Sequence, residues 1–135
     1  MGAYIAKKTV QLLVKQGKDI SDSKVLVMGA TFKENVEDIR NSKVVDVINE
    51  LISFSVKVDV VDPIASPLEF KHEYNLDLLK KAGKNYDAVI LAVSHKEYCN
   101  LDPAWFNSIT RKNAIFVDIK GLYRNKIKNM TYWSL

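Results

Sequence analysis

Val25-Leu26-Val27-Met28 is apolar at four successive positions, without the alternation of a strand that turns one face to water. A strand apolar on both sides belongs in a parallel sheet covered on both faces. That requirement constrains the fold more than any other feature of the chain. Ala88 to Val93 and Ile115-Phe116-Val117 have the same character. Val56, Val58 and Val60, joined by Val61, make a further strand that stops at Asp62-Pro63, since proline cannot donate to a ladder. Helical patterns lie between these runs. Asn41 or Ser42 can cap a helix whose inward face is Val44, Val47, Ile48 and Leu51. A helix-bearing region is expected from about Pro67 to Ala82, with Gly83 breaking it, and Pro103 to Ser108 reads as a short helix with proline in its first turn. Strands alternating with helices specify the α/β class: a Rossmann-like three-layer sandwich with a mainly parallel sheet.

A further helix leads in. Ile5, Thr9, Leu12, Leu13 and Gln16 share one face, Tyr4, Val10 and Val14 widen it, and Gly17 supplies the stop. Lys18 to Ser23 is polar and serves as a linker. The apolar face of this helix needs a cover, either the sheet or a second copy of the chain.

The 135 residues suit one domain with a substantial core. Hydrophobic residues at 47% and charged residues at 27% describe an ordered globular chain rather than a disordered one. The net charge of +4 favours anionic ligands in general, but the charges are too interspersed to indicate nucleic acid. Lys120, Arg124, Lys126 and Lys128 form the densest basic run, read in the first instance as a solvated face. The single cysteine, Cys99, is expected to be structural, and with His72 and His95 it makes no zinc spacing, so no metal site is expected. No apolar run reaches the roughly 18–20 residues of a membrane span. The reading is of a cytoplasmic protein with neither membrane nor nucleic acid as partner.

Gly29 to Ser42 joins the first strand to the next helix through a long, charged connection, where about 2–6 residues usually suffice. A connection of that kind at the carboxyl end of a strand lies where open α/β sheets bind ligands. Lys33 and Arg40 are cations suited to phosphate, and the following helix offers the positive end of its dipole. The stretch lacks the second and third glycines of the G-x-G-x-x-G fingerprint, so Asp62, at the end of the next strand, is read as turn chemistry rather than as a ribose anchor.

Gly29-Ala30-Thr31-Phe32-Lys33 through Asp38-Ile39-Arg40-Asn41-Ser42 resembles the UDP-binding, carboxyl-terminal domain of the nucleotide-sugar 6-dehydrogenases. Val60-Val61-Asp62-Pro63, Asp87 to Val93 with His95 behind it, and Asp118-Ile119-Lys120-Gly121 with a Tyr132-Trp133 tail follow in the family's order. The resemblance implies NAD-dependent oxidation of a UDP-hexose or UDP-N-acetylhexosamine to the uronic acid, for surface polysaccharide. It implies that Phe32, Lys33 and Lys120 hold the UDP part of the substrate, and that Arg40 approaches the NAD pyrophosphate. Family members also have an amino-terminal NAD domain and a central helical domain with the nucleophilic cysteine. Residues 1–20 would then be the end of the central helix and a linker, and 21–135 the UDP-binding domain. No catalytic residue is expected in this chain, which alone would be inactive. The partners implied are the UDP-sugar, the other two domains and further copies in a homo-oligomer. The alternatives are a free-standing nucleotide-binding or regulatory module, and a structural dimerisation domain.

Overall fold

The computed structural model describes residues 2–135; Met1, where the lead-in segment begins, lies outside the described residues. Helix α1 spans Gly2–Lys15 and is followed by β1 Lys24–Met28, α2 Lys43–Ser53, β2 Lys57–Val61, α3 Pro67–Tyr74, β3 Tyr86–Leu91, α4 Pro103–Ile109, β4 Thr110–Asp118 and β5 Thr131–Ser134. Single 3-10 turns stand at Ile20–Asp22 and Lys96–Tyr98. The five strands form one sheet in the order β2-β1-β3-β4-β5, and every adjacent pair is parallel.

Side chains of the central strands divide between two cores, as the period of two requires. Val25 and Val27 of β1, Ala88 and Ile90 of β3, and Ile115 and Val117 of β4 face α1, α2 and Phe70 of α3. Leu26, Met28, Val89, Leu91 and Phe116 face the opposite way, toward Phe106 and Ile109 of α4 and Tyr123. There the Phe106 ring meets Phe116 and Tyr123 edge to face, with centroids 4.8 and 5.2 Å away. All six residues of β3 are buried, so the non-alternating runs are two-sided strands as their composition requires.

Most of the apolar face of the lead-in helix is covered by its own chain, while Tyr4 and Val14, expected to widen that face, stay exposed. Ile5, Ala6, Thr9 and Leu13 are buried in the core that α1 shares with α2 and the sheet. The two helices approach so closely at Gly2 that a Cβ there would stand 2.5 Å from that of Asp46. Gly17, at φ +75°, ends α1: its N–H donates to Val14 O and that of Lys18 to Leu13 O, the paired bonds of a Schellman stop.

Strand β4 begins earlier than its apolar run and β3 ends before Ala92 and Val93, and two further elements depart more from the sequence expectation. Helix α3 ends at Tyr74 rather than near Ala82, because Asn75 adopts the left-handed conformation at φ 57° and its N–H closes on Lys71 O. Leu79, beyond it, bridges to Val61 of β2 instead of continuing a helix. The Tyr132-Trp133 tail is a fifth strand at the sheet edge, paired from Ile115↔Thr131 to Asp118↔Ser134.

Candidate functional site

The order 2-1-3-4-5 places a topological switch between β1 and β3. From β1 the chain crosses to β2 on one side; from β3 it crosses to β4 on the other. Loops leaving the two strands therefore diverge at their carboxyl ends and open a crevice there. A cavity of about 240 Å³ occupies that position. Its walls come from the loop after β1 (Thr31, Phe32, Lys33, Glu34), the loop after β3 (Ala92, Val93) and the turn after β4 (Ile119, Lys120), with Lys43, Val44 and Val47 of α2 and Gly2 and Ile5 of α1 closing it.

Gly29 makes the divergence possible. It stands at φ +100°, and a Cβ would lie 2.6 Å from Val93 Cβ, so the loops after β1 and β3 touch at a place where no side chain fits. Beyond it the long connection is folded on itself. Phe32 N–H donates to Asp38 O at 2.8 Å, Thr31 Oγ1 donates to Lys33 O at 2.8 Å, and the Tyr74 hydroxyl donates to Ile39 O. Phe32 is left 51% exposed at the mouth of the cavity, a large apolar ring that the fold itself does not cover.

Three of the four residues singled out in the sequence come together: Phe32, Lys33 and Lys120 line the one cavity although the lysines are far apart in the chain. Arg40 does not join them. Its side chain is 80% exposed and clasps Asp38, with Nε 3.1 Å from Oδ1 and Nη2 3.2 Å from Oδ2. That clasp holds the Asp38 carboxyl below the usual carboxylate range and raises Arg40 above its own. Arg40 sits instead in shallow depressions, one with Phe32, Asp38 and Asn41, the other with Ile39 and α3 residues including Leu68 and His72. Lys43 is a third cation at the cavity that the sequence reading did not single out. It opens α2, where Ser42 is the N-cap but makes no side-chain capping bond, and Val45 N–H turns to Ser42 O at 3.3 Å. Among the other members of the basic run, Arg124 bonds Ser134 Oγ at 3.1 Å rather than reaching the cavity.

Behind the loop lies a buried polar knot. Asp62 Oδ2 accepts from Ala30 N–H at 2.7 Å and lies 2.9 Å from His95 Nε2; Oδ1 accepts from Ile64 N–H and Ala65 N–H. Burial raises the Asp62 carboxyl, but the hydrogen bonds from His95 and the three amides outweigh it and hold the group below the usual carboxylate range. With both oxygens committed, Asp62 has the turn role expected and presents nothing to a ribose. Asn35 N–H donates to His95 Nδ1 at 2.9 Å, so that nitrogen carries no proton and the ring hydrogen sits on Nε2. Cys99 is half-buried with Sγ 3.4 Å from His95 O, and since both ring nitrogens are engaged elsewhere, His95 is no base for the thiol.

Asp118 anchors the third wall. It is fully buried, accepts from the N–H groups of Leu122 and Tyr123 at 3.0 and 2.6 Å, and takes the Tyr132 hydroxyl at 2.6 Å. Burial, followed by that bond to Asp118, pushes the Tyr132 phenol up to about 12. The turn carrying Lys120 is thus fixed at its base, and the charge of Lys120 stands free at its tip. Among the described residues no cluster of His, Cys, Asp and Glu is arranged to hold a metal ion, and no helix is long and apolar enough to cross a membrane.

A protein-family model, that of the UDP binding domain of the UDP-glucose/GDP-mannose dehydrogenase family, matches residues 26–125. The UDP-N-acetyl-D-glucosamine 6-dehydrogenase of Pseudomonas aeruginosa is 37% identical over 123 residues, covering 90% of this chain and 29% of the relative. Protein CapL of Staphylococcus aureus is 37% identical over 132 residues, covering 97% and 31%. Among solved structures, the UDP-D-ManNAc dehydrogenase of Pyrococcus horikoshii superposes with a TM-score of 0.81 over 98% of this chain and 30% of its own; at 20% identity that likeness speaks for the fold. The chain therefore spans about three-tenths of the length of these relatives. A five-stranded parallel sheet with a cationic crevice at its switch point, matched over 26–125 by that family model, makes the chain a member of the UDP-glucose/GDP-mannose dehydrogenase family, built as its UDP binding domain.

Proposed function

We propose that the crevice holds the UDP part of a UDP-sugar on behalf of an NAD-dependent UDP-sugar 6-dehydrogenase. The observation that carries this reading is the meeting of Lys33, Lys43 and Lys120 around one cavity whose remaining walls are largely apolar. Lysine ammoniums act as point charges on a diphosphate, and the uncapped first turn of α2 adds its N–H groups and dipole. Exposed Phe32 offers a ring face to the nucleotide, and Val44, Val93 and Ile119 exclude water from it.

Arg40 is assigned to the cofactor. Its guanidinium is largely exposed and does not line the cavity, which suits an NAD pyrophosphate presented by another domain. NAD, when bound, accepts hydride from C6 of the sugar. This chain contributes the grip on a distant handle, so that binding energy from the non-reacting UDP orients the reacting carbon. No residue of the chain is given a catalytic role. Residues 1–20 continue from the central domain in this reading, and 21–135 form the UDP domain. The substrate is a UDP-N-acetylhexosamine or UDP-hexose, the product a uronic acid for surface polysaccharide, the compartment the cytoplasm, and the active form a homo-oligomer.

The test is calorimetric titration of the chain with UDP and with AMP. Heat with UDP and none with AMP supports the assignment; equal heats, or none with either, remove it.

A further inference from the structure

We propose that His95 is a positioning residue for the nucleotide-binding loop, a neutral imidazole that fixes both ends of the segment carrying Phe32 and Lys33. The inference rests on the UDP reading of the crevice and extends it to a residue that does not line the cavity. His95 is 0% exposed, as is the Asp62 side chain it meets. Its Nε2–H lies 2.9 Å from Asp62 Oδ2 and 3.2 Å from Thr31 Oγ1; its Nδ1 accepts from Asn35 N–H at 2.9 Å. One ring therefore bonds Thr31 on one side and Asn35 on the other. Phe32, Lys33 and Glu34, which line the cavity, are the residues strung between those two points.

The second anchor is reciprocal. Asn35 gives its N–H to His95 and takes the N–H of Lys96 on Oδ1 at 2.7 Å, so that residue and the turn after β3 are joined by two bonds in opposite directions. Asn35 stands at φ 63°, a left-handed conformation that asparagine tolerates and that these bonds hold in place. The first anchor is firm because Asp62 is itself tied to Ala30, Ile64 and Ala65. A loop ordered before its ligand arrives costs less to bind, which is the advantage the arrangement confers.

Two substitutions separate the halves of the clasp. His95→Asn keeps an acceptor near the Nδ1 position and loses the reach to Asp62; His95→Gln keeps a donor near Nε2 and loses the acceptor for Asn35. Asn35→Gly, on the surface and compatible with a positive φ, removes the acceptor for Lys96 without disturbing the core. UDP affinity is measured by calorimetry for each, with thermal melting to verify folding and amide hydrogen exchange to follow residues 32–35. The expectation is that His95→Gln and Asn35→Gly weaken UDP by about 2- to 13-fold, the span of one lost hydrogen bond, and speed exchange at 32–35. His95→Asn, which gives up the anchor at Thr31 and Asp62, weakens UDP over the same range. UDP affinities that follow melting temperature alone, or that match wild type in all three variants, overturn the proposal. If the wild-type chain binds no UDP, the reading of the crevice fails separately, and the clasp is judged by exchange: equal protection at 32–35 in wild type, His95→Gln and Asn35→Gly overturns it.

Discussion

Lys33 and Lys120 reach the same cavity from loops after β1 and β4, and each is exposed and free to meet an anion. A hydrogen bond to a charged group contributes about 1.5–3 kcal/mol. Lys33→Ala and Lys120→Ala should therefore each lower UDP affinity by about 10- to 150-fold in titrations, with melting temperature nearly unchanged. Arg40→Ala should leave UDP affinity within about twofold, since its partner is Asp38 and it stands outside the cavity. Asp62 gives a pH prediction of definite sign. Its folded carboxyl is held below the usual carboxylate range, so its ionised form stabilises the fold at and above that range, and the contribution is lost as pH falls through the lowered folded value. Asp62→Asn should melt well below wild type near neutral pH, and the gap should narrow as pH falls below the usual carboxylate range and the wild-type carboxylate protonates.

At the level of elements, the crevice depends on two loops crossing in contact. Gly29→Ala would demand a left-handed alanine at φ +100° and a Cβ 2.6 Å from that of Val93. The strain alone costs about 1–3 kcal/mol, and the clash separates the loops after β1 and β3. Melting temperature should drop, and UDP affinity should fall with it even though no ligand-contacting side chain has changed; a variant with unaltered affinity would show that the loops are not jointly fixed. Strands β1, β3 and β4 were legible because two-sided burial leaves an unbroken apolar run, as in Val25 to Met28; β2, at the sheet edge, showed instead through Val56, Val58 and Val60 and the stop at Asp62-Pro63. Strand β5 was not, since Thr131–Ser134 is short, lies at an edge and is at most half-buried, which leaves no periodic signature. The end of α3 was missed because Asn75 stops it with a left-handed conformation that a glycine-based reading looks for at Gly83. Phe32, Lys33 and Lys120 could be named from motif, whereas Lys43 reads in sequence as an ordinary surface residue of a helix. The tie of His95 to Thr31, Asn35 and Asp62 joins three loops, and no local spacing encodes it.

For the molecule as a whole, the sheet supplies a rigid platform, and its switch point supplies the opening in which the proposed nucleotide site lies. The purified chain should form no NADH from NAD with UDP-N-acetylglucosamine, UDP-N-acetylmannosamine or UDP-glucose; sustained NADH formation would return Cys99 to consideration as a nucleophile. The central claim is one of place: UDP sits between the loops after β1, β3 and β4. Amide chemical-shift mapping of the labelled chain during a UDP titration tests it most directly. The account predicts the largest shifts at Thr31 to Glu34, Lys43 and Val44, Ala92 and Val93, and Ile119 and Lys120, with Arg40 and the α3 face around Leu68 and His72 nearly still. Shifts centred on that α3 face, or no saturable shifts in the crevice, would contradict it.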